Sequence, residues 1–242
     1  MLQNNKKMKG LDYVITKLNT PVYEAILPST EKVNKYRPFL VKEEKVLLTA
    51  MEDGSQTALM NAIKTIIKNC VQGKVNVDRL PLFDIEYLFL KLRSKSVGEV
   101  SEIGLKCTTE GCDCVTQITI NMDEIEVTKP EGHNRKIMIS DDVGVMMSYP
   151  VMKTSGITEE DGMAIVKDCI EMVFTEEETH ERDSFTSKEL DEFLDSMDTK
   201  QFAKIKQFFD SMPKLEHTIN YKCEKCGEDK EITLQGLDSF FG

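Results

Sequence analysis

Residues 80–99 read LPLFDIEYLFLKLRSKSVGE. Pro81 suits a helix start, where the N–H that proline lacks has no partner within the helix, and the spacing predicts a helical run over Phe83–Arg93. In that run Phe83, Ile85, Tyr87, Leu88, Phe89, Leu90 and Leu92 leave Asp84, Glu86, Lys91 and Arg93 as the only charges. A helix apolar on most sides is buried on most sides, so this segment is expected at the centre of the core.

Outward from it, PVYEAIL (21–27) and YRPFLV (36–41) are short, β-branched or aromatic, and punctuated by proline, which predicts two strands. A turn at Asp53-Gly54-Ser55 precedes QTALMNAIKTIIKNCV, whose Ala58, Leu59, Ala62, Ile63, Ile66, Ile67 and Cys70 recur at helical spacing, with Gly73 ending the helix. Downstream, residues 103–120 have strand character around a cysteine turn, and 135–149 reads as a hairpin across Asp141-Asp142 that closes at Pro150. A helix is expected from Thr158, with Asp161 at cap-like spacing and Met163, Ile165, Val166, Ile170, Val173 and Phe174 following; TEEETHERD after it reads as a solvated loop. Thr186 with Glu189 and Asp198 with Gln201 are capping-box pairs that open two more helices, the second stopped by Pro213. The tail from His217 returns to strand, cysteine turn and strand. With no low-complexity linker, residues 1–242 are expected to form a single compact α+β domain. Its core is helical, and a small β subregion over 103–127 and 218–236 carries two zinc-ribbon-like cysteine turns.

Composition excludes several classes of function. Thirty-one Lys and Arg against 42 Asp and Glu give a net charge of −11, the opposite of the basic footprint that phosphate binding requires. No apolar run approaches the ~18 residues of a membrane span, and MLQNNKKMKG has no apolar stretch behind its charges, so neither a membrane span nor an export signal is expected. Seven cysteines are an odd number, five of them in two tight clusters, which fits a reducing cytoplasm better than a disulfide framework.

Those clusters lie in two segments that resemble each other, GLKCTTEGCDCVTQITINMDEI (104–125) and NYKCEKCGEDKEITLQGLDSF (220–240). Each runs strand, Lys-Cys, short turn, second cysteine, alternating strand. Tight turns of this kind aim two thiolates at one tetrahedral ion about 2.3 Å from each sulfur, so Cys107, Cys112, Cys223 and Cys226 are the candidate ligands of a structural zinc. Cys114 competes with Cys112 for the fourth place; Gly111 before Cys112 favours Cys112. Metal-free reduced cysteines are the plain alternative. A thioredoxin-like redox pair at Cys223 and Cys226 fits poorly, because that motif opens a helix and here strands flank it. Four sulfurs close the coordination shell, which leaves no open position for catalysis. Cys70 and Cys169 fall on apolar helix faces as core residues.

No catalytic frame accompanies the cysteines. His133 and His180 fall in polar loops, and His217 is near the second cysteine strand, where it either lines the metal region or packs plainly. No phosphate loop, nucleophile elbow, zinc-protease helix or dinucleotide fingerprint occurs. Arg93–Gly98 is better read as a helix end with basic residues than as a phosphate turn. A non-enzymatic protein with no small-molecule substrate is expected.

VKEEKVLLTAME (41–52), the 80–99 segment, the paired cysteine turns, and FFDSMPKLEHTINYKCEKCG with the terminal GLDSFF together resemble the baseplate hub assembly proteins of T-even-like contractile-tailed bacteriophages. The resemblance covers most of the chain and is weakest between residues 128 and 185. It implies a late phage protein for building the baseplate hub, as a minor structural component or an assembly chaperone. The partners it implies are hub and tape-measure proteins, met in the host cytoplasm, with a place in the virion baseplate if the protein is retained. On that reading Arg93, Ser94, Lys95 and Ser96 offer a contact surface at the exposed end of the core helix, and Phe240-Phe241 either docks on a partner or folds back. The competing reading is a zinc-ribbon nucleic-acid-binding or transcription-related phage protein, kept open by the local Lys222, Lys225 and Lys230.

Overall fold

The structure is a computed structural model that describes residues 18–151 and 162–237. Thr158, Asp161, Phe240 and Phe241 lie outside the described residues. Among the described residues there are six α-helices and twelve strands. All strand pairing is antiparallel. One sheet runs β1 (Tyr23–Ile26), β2 (Val33–Tyr36), β3 (Val71–Gln72); a second pairs β4 (Val100–Lys106) with β5 (Val115–Asn121); a third runs β12 (Asp229–Gln235), β11 (Lys214–Lys222), β6 (Val127–Thr128); a fourth runs β10 (Thr179–Glu181), β9 (Ile170–Phe174), β8 (Gly144–Met147), β7 (Lys136–Met138).

The segment 80–99 becomes α3 (Leu82–Val97), one turn longer at its C-terminal end than its apolar pattern indicated. Ile85, Leu90 and Leu92 are fully buried, and Leu88 and Phe89 nearly so. Around α3 pack α1 (Val41–Asp53), α2 (Gln56–Cys70), the β1–β3 sheet, and two hairpins: β4 (Val100–Lys106) with β5 (Val115–Asn121), and β11 (Lys214–Lys222) with β12 (Asp229–Gln235). A strand β6 (Val127–Thr128) pairs with the start of β11.

A second hydrophobic cluster lies around Val145, Met147, Ile170, Leu190, Ile205 and Phe208. It is built from β7 (Lys136–Met138), β8 (Gly144–Met147), β9 (Ile170–Phe174), α4 (Gly162–Cys169), α5 (Ser187–Asp195) and α6 (Thr199–Asp210), with the exposed β10 (Thr179–Glu181) at the sheet edge. The two clusters touch where Phe83 of α3 meets Tyr149 edge to face, ring centroids 5.0 Å apart, beside a bridge between Pro81 and Val151.

Several expectations shift. The second strand is β2 (Val33–Tyr36), not residues 36–41: β2 pairs on both sides, and Pro38 has no N–H to give a ladder. Residues 41–53 form α1, which reaches Gly54 at φ 69 before Ser55 caps α2. Ile170–Phe174 is strand rather than the end of a helix, and residues 179–181 of the acidic run add a strand beside it. Phe174 lies against Gly144 directly across the ladder, a position where any side chain would collide with the ring. Both capping boxes form as expected.

Arg93, Ser94, Lys95 and Ser96 are not an exposed contact end; none is exposed. Ser94 Oγ donates to Asp123 Oδ1 at 2.6 Å, Lys95 pairs with Asp123 and Glu99, and the Phe39 N–H donates to Ser96 Oγ at 2.9 Å. These polar groups fasten the helix end to its neighbours.

Candidate metal centre

The β4–β5 and β11–β12 hairpins end in cysteine turns, residues 107–114 and 223–228. The last ladder pairs before them are Lys106–Val115 and Lys222–Asp229. Each turn is tied at its base by a backbone bond, Cys107 N–H to Cys114 O (2.8 Å) and Cys223 N–H to Glu228 O (2.9 Å). Glycine makes both turns possible: Gly111 (φ 76) comes just before Cys112, and Gly227 (φ 71) just after Cys226, backbone conformations that cost other residues energy.

The two turns face each other. Cys107, Cys112, Cys223 and Cys226 place their sulfurs within 4.8 Å of one another, with Cys107–Cys226 at 3.7 Å and Cys112–Cys223 at 3.8 Å. Neither separation is a disulfide, whose sulfurs are about 2.05 Å apart. A regular tetrahedron with sulfur about 2.3 Å from its centre has edges of about 3.8 Å, so the two pairs match the spacing that a four-thiolate zinc requires. Three of the four are buried and Cys226 is exposed.

Further contacts hold the turns together. Thr109 Oγ1 donates to Glu228 Oε2 at 2.7 Å and lies 3.3 Å from Cys107 Sγ, while the Glu224 N–H reaches the buried Thr116 Oγ1 at 3.5 Å. Backbone N–H groups of Cys226 and Lys225 aimed at Cys223 pull its thiol down to about 6. Hydrogen bonding with the side chain and backbone of Thr109 also lowers Cys107. Cys112 receives a backbone N–H from Cys114, yet burial and the neighbouring sulfurs push it up to about 12. Clustered thiols resist losing every proton unless a cation balances the charge, and a divalent soft metal is what this donor set fits.

Cys114 stands apart: its sulfur faces Thr116 Oγ1 at 4.0 Å, and its carbonyl serves the turn. His217 lies on β11 opposite Leu234, five ladder steps from the Lys222–Asp229 pair at the cysteine end, and so does not line the cluster. His180 is exposed beside Glu178. His133 is a packing residue, its ring nitrogens 2.9 Å from Ser211 Oγ and 3.1 Å from Tyr149 Oη. Lys222, Lys225 and Lys230 are interleaved with Glu224, Glu228, Asp229 and Glu231, and Lys230 is held by Glu228 at 2.7 Å. No helix among the described residues is long and apolar enough to cross a membrane.

The molecule is thus a mixed α/β chain in which two cysteine-turn hairpins close on one four-sulfur cluster. The model of the T4 bacteriophage base plate protein family matches residues 20–242, and the chain belongs to that family. It is 27% identical over 214 residues to the baseplate hub assembly protein gp26 of Enterobacteria phage T4, an alignment that spans 87% of this chain and 93% of the relative. No solved structure matches.

Proposed function

We propose that the chain acts in building the baseplate hub of a contractile phage tail. It serves as a minor structural component or as an assembly chaperone for hub and tape-measure proteins, without enzymatic turnover. The observation that carries this reading is the alignment with the T4 hub assembly protein over nearly the whole of both chains. Its place of action is the infected host cell, and the virion baseplate if the protein is retained. The test is mass spectrometry of tagged protein from infected cells beside the protein inventory of purified virions. Hub or tape-measure proteins in the pull-down, with the protein present in virions, mean a structural component; the same partners with its absence from virions mean a chaperone. Recovery with polymerase or nucleic acid instead would overturn the reading.

Within that role Cys107, Cys112, Cys223 and Cys226 hold a structural zinc that joins the two hairpins through cysteine pairs 111 and 119 residues apart in sequence. When bound, the metal supplies a cross-link and neutralises clustered thiolate charge. Freshly purified, reduced protein is expected to carry about one equivalent of zinc, and less than about half an equivalent would count against the site. Cys112→Ser should lower the zinc content and Cys114→Ser should not, since only the Cys112 sulfur faces Cys223.

A further inference from the structure

Helices α1 and α2 form a hairpin with one face on the core and the other open. On the open side a groove of about 560 Å³ runs between them, floored by the buried Ala50 and Ala62. Helix α2 lines it with Ala58, Asn61, Ala62 and Thr65, none of them large or charged, so another helix can approach closely. Apolar surface gathers on the same hairpin. Five of the fifteen large apolar residues exposed among the described residues, Leu40, Val41, Val46, Leu48 and Met51, fall at α1. Leu47 and Ala50 already bury its inner side, so α1 carries apolar surface that the core does not cover.

Charge selects the occupant. Lys45 and Asp53 are the charged residues that line the groove. They stand four residues before and four after Thr49, about 12 Å apart along the axis of α1. Outside the groove, Lys42 lies on the Lys45 side of Thr49 and Glu52 on the Asp53 side, while Glu44 falls about 140° around the helix from Thr49. The strip centred on Thr49 is therefore cationic in its first half and anionic in its second. A two-fold axis through Thr49 lays this strip on itself in reverse, so the cationic half of each copy meets the anionic half of the other, the self-complementary pairing of a symmetric dimer.

Within one chain these charges are unanswered. Neither Lys45 nor Asp53 forms an ion pair with another described residue. Asp53 ends α1, where the helix dipole disfavours an anion, and the last turn has no basic residue to offset it. An antiparallel α1 supplies the missing cation. Helices of 13 and 15 residues run about 20 Å and pack about 10 Å apart, giving a face of roughly 400 Å². That is below the ~800 Å² per partner of a standard interface. Two chains of net charge −11 also repel at a distance, so the association is weak and builds up with concentration.

We propose that this face is a self-association surface, on which a second copy lays its α1 antiparallel across Thr49, bringing Lys45 of each copy to Asp53 of the other. The test is sedimentation velocity of the full, reduced chain over about two decades of concentration, up to roughly 500 µM. The wild type should move from one chain towards two. Lys45→Glu and Asp53→Lys, each alone, set like charges face to face at both contacts and should weaken the association about tenfold or more. An equimolar mixture of those two variants restores opposite charges at both contacts and should dimerise again, as should the doubly reversed chain. Thr49→Arg puts two cations on the axis and should also leave monomers, with circular dichroism unchanged because Thr49 is exposed. A wild type that stays monomeric throughout would overturn the proposal; if Thr49→Arg then lost a protein that the wild type captures from infected cells, the groove belongs to a foreign partner. A dimer indifferent to both single reversals lies on another face. Two weakened variants whose mixture stays monomeric would show that Lys45 and Asp53 do not meet.

Discussion

Asp84 is a carboxyl with no exposed surface, in the first turn of α3. It survives there because Ser29 turns both of its donors toward it: the N–H donates to Oδ1 at 3.0 Å, and the hydroxyl donates to Oδ2. Burial nonetheless pushes its pKa above the ordinary 3.8. A folded state that holds the proton more tightly than the unfolded chain is favoured most at low pH, and loses that advantage as pH rises from the unfolded value through the folded one. Asp84→Asn removes the titration. The variant's stability relative to wild type should therefore increase as pH rises from about 4 and level off above the folded pKa, as urea unfolding from acid to alkaline pH would show; parallel curves would mean that Asp84 is not the group responsible. Ser29→Ala, by contrast, removes the hydroxyl partner of the buried carboxyl and should cost about 1–3 kcal/mol.

Glu43 has the opposite sign. It is 1% exposed, and burial alone would raise it, but Arg37 at 3.1 Å and the Leu40 N–H at 2.9 Å hold it below 4.5. Its contribution is complete above the unfolded value and disappears as pH falls through the depressed folded one. Arg37 keeps partial contact with water, so Glu43→Gln should cost about 3 kcal/mol at neutral pH, the low end for breaking a buried pair. The difference from wild type should shrink under acid, because the wild-type carboxyl is then protonated as well. A gap that stays constant down to pH 3 would refute the assignment.

At the scale of elements, helix starts written into side chains were the most legible features. Thr186 accepts from the Glu189 N–H and Glu189 reaches back to the Thr186 N–H; Asp198 and Gln201 repeat the pattern. Thr186→Ala should lower stability by about 1 kcal/mol, read as a shift in denaturant midpoint at constant slope. No change would mean that packing of Leu190 and Leu194 alone fixes the start of α5. Helix α3 was legible for another reason: its residues are apolar on nearly every side, so no choice of face was needed. Helix α1 escaped because its outward side carries Val41, Leu48 and Met51, which blurs the period that Leu47 and Ala50 would otherwise set. Ile170–Phe174 misled in the opposite direction, since Ile170, Val173 and Phe174 satisfy helical spacing, yet the ladder with β8 captures them; short apolar runs carry both periods until pairing decides. The four clustering cysteines followed from the turn pattern alone. The bracing role of Ser94, Lys95 and Ser96 did not, because their partners Asp123 and Phe39 are 28 and more residues away in sequence.

At the scale of the whole molecule, two hydrophobic clusters respond unequally to the cysteine centre. The sulfurs sit at the tips of β4–β5 and β11–β12, whose inner faces contribute Ile103, Leu105, Ile120, Tyr221 and Leu234 to the cluster around α3. The cluster around Val145 and Ile205 receives nothing from either hairpin. Zinc bound by four thiolates contributes on the order of 10 kcal/mol, comparable to the roughly 5–15 kcal/mol that holds a whole domain folded. Removing the proposed zinc should therefore release the hairpin tips while leaving the second cluster closed. Hydrogen exchange with and without a strong zinc chelator under reducing conditions reads this directly. Exchange should accelerate in residues 100–121 and 214–235 and stay unchanged in β8, β9 and α6. Acceleration spread equally over both clusters would mean that they unfold as one unit through the Phe83–Tyr149 contact, and acceleration in neither would mean that the cysteine turns hold their shape by backbone bonds alone.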